Sequence, residues 1–242
     1  MSRKTPLWEP SEERKARANI TRFIDRVNRK YGKSFKSYWD LYDWSVAEIP
    51  DFWAAVWDFV EIQASKPYER VVEDLGRFPG AKWFPGARLN FAQNLLRYRD
   101  EHVAFKFVGE TQKRAQMTYA ELYQTVARLA KSLKELGVKP GDRVVGYMPN
   151  LMETAIAMLA ATSIGAVWSS CATDIGSQAA LDRLGQVEPK VMFTVDGYFY
   201  KGKAFKSFDN AVEVARNIPS LQKVVVVEYA GTKPDLKALP NA

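Results

Sequence analysis

Aromatic and lysine side chains are concentrated in the segment TVDGYFYKGKAFK, which spans residues 194–206. Its candidate binding groups are three rings and three cations around one glycine, namely Tyr198, Phe199, Tyr200, Lys201, Gly202, Lys203 and Lys206. Ammonium groups hold phosphates, rings offer stacking faces, and glycine lets the backbone approach a ligand. The pattern indicates a site for a phosphate-bearing ligand, although a solvated surface loop has the same composition.

The other reactive side chains give no catalytic constellation. His102 is the single histidine, so Ser-His-Asp or Cys-His catalysis would depend on that residue alone. Cys171 is the single cysteine, which excludes an internal disulfide and a thiolate cluster for a metal. The segment SSCATDIGS, at 169–177, has the composition of a phosphate loop, but Asp174 would repel a phosphate. We interpret it as a strand-to-helix turn and assign no catalytic and no metal-binding residue.

Alternating helices and strands are predicted to position the lysine-rich segment. A helix begins at the capping pair Thr118 and Glu121 and ends at Gly137. Further helices are predicted at 151–164, 177–187 and 207–217, and strands at 143–148, 166–170, 191–195 and 223–229. Strands such as VMFTV are apolar on both faces, as parallel strands covered by helices are. The pattern predicts an α/β fold with a doubly wound, mostly parallel sheet, and residues 194–206 leave the strand end where such sheets bind ligands.

The residues before this region are predicted to be helical and rich in aromatic side chains. An amphipathic helix is expected over 11–31, capped by Ser11, and eight aromatic residues occur within 38–59, where Pro50 divides two helices. These rings alternate with Asp and Glu, so core packing is favoured over stacking on a base. Two short strands are expected within 103–118. We place the domain boundary between residues 95 and 96, which gives domains 1–95 and 96–242.

Charge is unevenly distributed along the 242 residues. Of the net charge of +7, all comes from residues 1–36, which hold eleven Lys or Arg and four Asp or Glu. Residues 37–242 have no net charge, so neither nucleic acid nor a membrane is an expected partner. Residues 154–173 carry no charge but contain Ser, Thr and Gly, which favours a buried helix and strand over a membrane span. With one cysteine and no signal-like run, the expected location is the cytosol.

Four segments carry a resemblance to the acyl-adenylate-forming synthetases. They are LYDWSV at 41–46, WFPGARLNFAQNLLR at 83–97, GVKPGDRVVGYMPN at 137–150 and AMLAATSIGAVWSS at 157–170. Two more, LDRLGQVEPKVMF at 181–193 and YKGK at 200–203, resemble the acetoacetyl-CoA synthetase branch more than the acetyl-CoA synthetases. The resemblance extends from about residue 8 to residue 240. It implies an N-terminal extension of the acetyl-CoA synthetase type over 1–95 and the first portion of an AMP-binding domain over 96–242.

The resemblance also implies the reaction and its ligands. Acetoacetate would attack the α-phosphate of ATP to give an acyl adenylate, from which the CoA thiol would displace AMP, with Mg²⁺ as the metal. The implied CoA-binding residues are Tyr200, Lys201, Gly202 and Lys203. Tyr200 and Lys203 occupy the two arginine positions of an Arg-Ala-Gly-Arg loop in acetyl-CoA synthetases. Lys203 keeps the cation, whereas Tyr200 keeps only a stacking or hydrogen-bonding group.

Several family motifs do not occur in these 242 residues. The ATP phosphate loop, the adenine contacts, the acyl pocket and the adenylation lysine lie further along the sequences of family members. We therefore expect an N-terminal portion whose partners are acetoacetate, ATP, CoA and the C-terminal remainder of the same enzyme, and which is inactive alone. Two alternatives stay open at this point: a natural truncation that acts as a non-catalytic binding module, or a short-chain ligase for acetate or propionate.

Overall fold

Residues 7–111 and 114–240 are described by a computed structural model. They divide into two compact units, an N-terminal unit that ends at Leu89 and a sheet unit that begins at Asn90. The predicted family boundary between residues 95 and 96 stays a prediction, because a division by compactness does not define where a family domain ends.

From residue 7 onward, where the structure describes it, the N-terminal unit contains four helices. They are α1 (Glu12–Ala16), α2 (Asn19–Tyr31), α3 (Tyr38–Ala47) and α4 (Ile49–Phe59). The single helix predicted over 11–31 is wrong, because Ala18 adopts an extended conformation between α1 and α2. The Lys15 carbonyl accepts hydrogen bonds from the Ala18 amide at 3.1 Å and from the Thr21 hydroxyl at 2.6 Å, so it keeps partners although the helix breaks here. Ser11 caps the first of these helices, as predicted. The predicted division of 38–59 into two helices is confirmed, with Pro50 in the first turn of α4.

Aromatic rings form much of the core of this unit. Phe23 contacts Phe52 and Phe59 edge-on, at centroid distances of 6.0 and 5.1 Å, and Trp44 packs against Tyr31 at 5.2 Å. The buried members of the cluster are Phe23, Val27, Leu41, Trp44 and Ala55. The predicted core packing is confirmed for Trp44, which is buried, and in part for the half-buried Phe52, Trp57 and Phe59. It is wrong for the four exposed rings, which are Tyr38, Trp39, Tyr42 and Trp53.

The sheet unit contains the remaining regular elements. The helices are α5 (Phe91–Leu95), α6 (Tyr119–Glu135), α7 (Met152–Ser163), α8 (Ser177–Leu184) and α9 (Phe208–Arg216). The strands are β1 (Val103–Val108), β2 (Arg114–Thr118), β3 (Arg143–Tyr147), β4 (Val167–Cys171), β5 (Val191–Val195), β6 (Gly197–Tyr200), β7 (Lys203–Lys206) and β8 (Lys223–Val227). Single 3₁₀ turns occupy Gly185–Val187 and Leu236–Ala238.

Four parallel strands form the central sheet in the order β4-β3-β5-β8. Helices α6 and α7 pack on one face around residues such as Val144 and Phe193, and α8 and α9 pack on the other around Val145 and Met192. Every residue of the central strand β5 is buried, because helices cover both faces. The predicted doubly wound α/β fold is confirmed. The chain reverses direction across the sheet between β3 and β5, which makes their carboxyl ends the topological switch point.

The charge-free segment 154–173 lies mainly in α7 and β4, as predicted. The prediction that its strand is buried is wrong, because β4 is at the edge of the sheet and Val167 and Ser170 are exposed. Within the described ranges, no helix has both the length and the apolar character needed to cross a bilayer.

Candidate functional site

The lysine-rich segment forms a β-hairpin rather than an irregular loop. Strands β6 and β7 pair antiparallel, with Tyr200 opposite Lys203, and are joined by the two residues Lys201 and Gly202. Both residues have positive φ, at 49° and 73°. Two successive left-handed residues characterise the type I′ turn, whose twist matches that of the strands. The hairpin begins directly after β5, at the switch point of the sheet.

One face of the hairpin carries three rings and a cation. Directly paired residues in antiparallel strands share a face, as do residues two apart on one strand. Tyr198 and Phe205 are therefore on the same face as Tyr200 and Lys203, and their rings stack at 5.3 Å with an interplanar angle of 14°. Tyr200 is 52% exposed and Lys203 is exposed. This hairpin face offers stacking surface and a positive charge side by side.

The three lysines do not share one place on the hairpin. The Lys201 ammonium lies 5.3 Å from the centre of the Tyr200 ring, at the tip. Lys206 pairs with Gly197 at the root, and its odd offset from Lys203 puts it on the opposite face. The expectation that Lys206 joins the other two cations around Gly202 is therefore wrong. The alternation of a β-strand separates them, whereas an irregular loop would not.

Asp196 fixes the root of the hairpin. Its buried carboxylate accepts hydrogen bonds from the backbone amides of Tyr229, Ala230 and Thr232, at 2.7, 2.8 and 2.7 Å. Burial raises the pKa of this carboxyl, but the hydrogen bonds from these residues outweigh it, and the pKa lies below its usual value. Because the Tyr229 amide donates to the Asp196 carboxylate and not to a neighbouring strand, β8 ends at Val227, two residues earlier than predicted.

Gly197 allows the two strands to approach at the root. A Cβ at this position would lie 2.6 Å from the Phe205 carbonyl oxygen and 3.0 Å from the Ala230 Cβ. No side chain fits there without a backbone shift. Sequence reasoning assigned no role to Asp196 or Gly197, and the only signal for them was a polar pair directly after an apolar strand.

The other polar residues considered in the sequence lie outside the hairpin. The segment 169–177 leads from β4 to α8, and the Tyr147 hydroxyl donates to the Ile175 carbonyl at 2.5 Å, so its interpretation as a strand-to-helix turn is confirmed. Burial raises the pKa of the Cys171 thiol to about 11, which keeps it neutral. His102 is exposed, and its Nδ1 lies 3.0 Å from the Asp100 carboxylate. Across the described residues, no three His, Cys, Asp or Glu side chains are grouped to hold a metal ion.

Known sequence families match both parts of the chain. A family described as "AMP-binding enzyme" matches residues 91–241, and one described as "Acetyl-coenzyme A synthetase N-terminus" matches residues 38–95. The acetoacetyl-CoA synthetase of Danio rerio is 42% identical over 241 residues, which cover 98% of this chain and 36% of that protein. The acetoacetyl-coenzyme A synthetase of Rhizobium meliloti is 41% identical over 231 residues, or 96% of this chain and 35% of that protein.

A solved structure gives the same result in three dimensions. The acetoacetyl-CoA synthetase from Streptomyces lividans superposes with a TM-score of 0.90 at 44% sequence identity, over 96% of this chain and 36% of that one. The chain thus spans roughly a third of the length of these relatives. Since the AMP-binding match alone covers more than half of the residues, the chain belongs to the AMP-binding enzyme family.

Proposed function

We propose that the chain is the N-terminal part of an acetoacetate–CoA ligase. The enzyme converts acetoacetate, ATP and CoA to acetoacetyl-CoA, AMP and pyrophosphate, through an acyl adenylate, in the cytosol. The observation that carries this proposal is the likeness to the Streptomyces lividans acetoacetyl-CoA synthetase over nearly the whole chain. At 44% identity, the likeness extends beyond a shared fold to much of the sequence.

We assign the nucleotide end of CoA to the exposed hairpin face. The Lys203 ammonium neutralises phosphate charge, and Lys201 adds a second cation at the tip. Tyr200 packs its half-exposed ring against the same end of the ligand. Among the described residues other than its two chain neighbours, no atom lies within 4 Å of a Cβ placed on Gly202, so this side of the turn is open to a ligand. Because lysine is a point charge, this site lacks the bidentate fork of an arginine.

This chain contributes binding and orientation rather than bond chemistry. CoA held at its nucleotide end, far from its reacting thiol, gains affinity that is the same in the ground state and the transition state. ATP and Mg²⁺ belong to the proposal for the complete enzyme, in which the metal would neutralise phosphate charge. We assign neither of them a ligand among the described residues.

Two other functions compete with this proposal. The malonamoyl-CoA synthetase of Penicillium aethiopicum is 36% identical over 244 residues, so a relative named for a different acyl group shares this sequence pattern. A ligase for another short-chain acid, such as acetate or propionate, is therefore one alternative. The other is a binding module without ligase activity.

The experiment is an acid-specificity assay on the protein made from its complete coding sequence. ATP and CoA are supplied with acetoacetate, acetate or propionate, and pyrophosphate and the CoA ester are quantified. The proposal predicts a kcat/KM for acetoacetate at least about tenfold above that for either other acid, since one missing methylene alone discriminates by roughly 10- to 200-fold and both other acids also lack the keto group. A preference for acetate or propionate would support the second ligase. Formation of no CoA ester would support the binding module.

A further inference from the structure

Glu110 connects the β1–β2 turn to the tip of the candidate CoA hairpin. Its Oε2 accepts a hydrogen bond from the Gly202 backbone amide at 2.9 Å, across 92 residues of sequence. Gly202 is the second residue of the two-residue turn, between Lys201 and Lys203. The contact therefore holds the part of the hairpin from which the two proposed cations project.

The turn benefits from such an external contact. Lys201 has a φ of 49°, in the left-handed region that residues with a Cβ disfavour. Type I′ turns favour Asn-Gly and Asp-Gly, whereas this turn is Lys-Gly. The local sequence alone gives weak preference for the observed turn, so a bond from outside the hairpin stabilises it.

Aromatic packing places the two hairpins side by side. The Tyr229 ring contacts Phe199 of β6 edge-on at 5.4 Å and Phe107 of β1 at 6.5 Å. At the β1–β2 turn, a Cβ on Gly109 would lie 3.3 Å from the Tyr229 hydroxyl oxygen. This packing holds the two hairpins together and brings the Glu110 carboxylate within hydrogen-bonding distance of the Gly202 amide.

We infer that Glu110 is a positioning residue for CoA binding, which acts by holding the Lys201–Gly202 turn through the Gly202 amide. The inference rests on the proposed function, because it takes the hairpin as the CoA site. A carboxylate near bound phosphates weakens the attraction of those phosphates to the lysines. Glu110 therefore acts through the length of its side chain and its acceptor oxygen rather than through its negative charge. Glutamine keeps the acceptor without the charge, and aspartate keeps the charge but is one methylene shorter.

The test compares Glu110→Gln and Glu110→Asp in the complete enzyme. Glu101→Asp is the matched control, since Glu101 is an exposed carboxylate at the other end of β1. Hydrogen exchange of the peptide that contains residues 200–203 and the CoA KM are measured for each variant. Glu110→Asp is expected to speed exchange and raise the CoA KM about three- to tenfold, the effect of one lost hydrogen bond. Its kcat and its KM for ATP should stay within about twofold.

The Glu110→Gln variant separates the effect of side-chain length from the effect of charge. Glu110→Gln is expected to keep both exchange and CoA KM within about twofold of the parent enzyme, because the amide oxygen still accepts from Gly202. Unchanged exchange in Glu110→Asp, or equal losses in both variants, would overturn the inference. Faster exchange in Glu110→Asp with an unchanged CoA KM would instead overturn the assignment of CoA to this hairpin, although it would still show that Glu110 stabilises the Lys201–Gly202 turn.

Discussion

A buried carboxylate, Asp196, organises the root of the hairpin. The residue could be located from the sequence only as a polar position after an apolar strand. Its partners Tyr229, Ala230 and Thr232 lie more than 30 residues further along the chain. They reach it because β8 pairs with β5, and that pairing is a tertiary contact. By contrast, Tyr200 and Lys203 are candidates that the sequence itself suggests, and their pairing across the hairpin follows from the register.

Replacing Asp196 tests this anchor and gives a pH signature. Asparagine has one acceptor oxygen and cannot satisfy all three backbone amides, so Asp196→Asn should lower the free energy of unfolding by about 1–3 kcal/mol at pH 7. The pKa of Asp196 is lowered in the folded state. Its stabilisation is therefore present above the ordinary carboxyl pKa of about 3.9 and is lost as the pH falls through the lower, folded pKa.

Urea unfolding at pH 7 and at about pH 3 measures this effect. The difference between the parent and Asp196→Asn should shrink at the lower pH. Asp43→Asn, which alters an exposed carboxylate of the N-terminal unit, should change little at either pH. A difference between the parent and Asp196→Asn that is as large at pH 3 as at pH 7 would show that the carboxylate charge is not what stabilises the root.

Most helices and strands of the sheet unit were predictable because their apolar period and end signals agree. The capping pair at Thr118 and the buried strand at 191–195 are examples. The β6–β7 hairpin was not predicted, because GYFY is aromatic without polar alternation and Lys-Gly is a weak turn signal. The break at Ala18 was also missed, because residues 11–18 contain no Gly or Pro and are mostly Glu, Arg, Lys and Ala, which favour a continuous helix.

The N-terminal cap of α6 gives a prediction for one element. Thr118 Oγ1 accepts from the Glu121 amide at 3.2 Å, and the Glu121 carboxylate accepts from the Thr118 amide at 2.8 Å. Thr118→Ala should lower the free energy of unfolding by roughly 1 kcal/mol. Thr125→Ala, inside the same helix, should be neutral or slightly stabilising, because alanine has the higher helix propensity. Urea midpoints of the two variants that shift equally would contradict the capping assignment.

The order of the strands organises the whole sheet unit. Alternating helices and strands predicted a doubly wound sheet, but the order β4-β3-β5-β8 could not be derived from the sequence. Each crossover is right-handed in either direction across a sheet, so the sequence pattern does not fix which way the chain turns. The reversal between β3 and β5 places the hairpin at the edge where open sheets of this kind bind ligands.

The central claim is that this part of the molecule binds CoA without taking part in bond making. Such a division has a kinetic signature, because a contact far from the reacting atoms changes KM and leaves kcat unaltered. Lys203, on the exposed hairpin face, is the residue at which the signature should be largest. Lys134, an exposed lysine in the last turn of α6, is the matched control because it lies at the opposite, amino-terminal end of the sheet strands.

Steady-state kinetics of Lys203→Ala in the complete enzyme are the most direct test. The CoA KM should rise by an amount worth roughly 1–3 kcal/mol, about 5- to 150-fold, and the effect should shrink as salt rises. The kcat and the KM values for ATP and acetoacetate should be nearly unchanged, and Lys134→Ala should match the parent enzyme throughout. A CoA KM in Lys203→Ala equal to that of Lys134→Ala would contradict the account and make the hairpin a solvated surface turn.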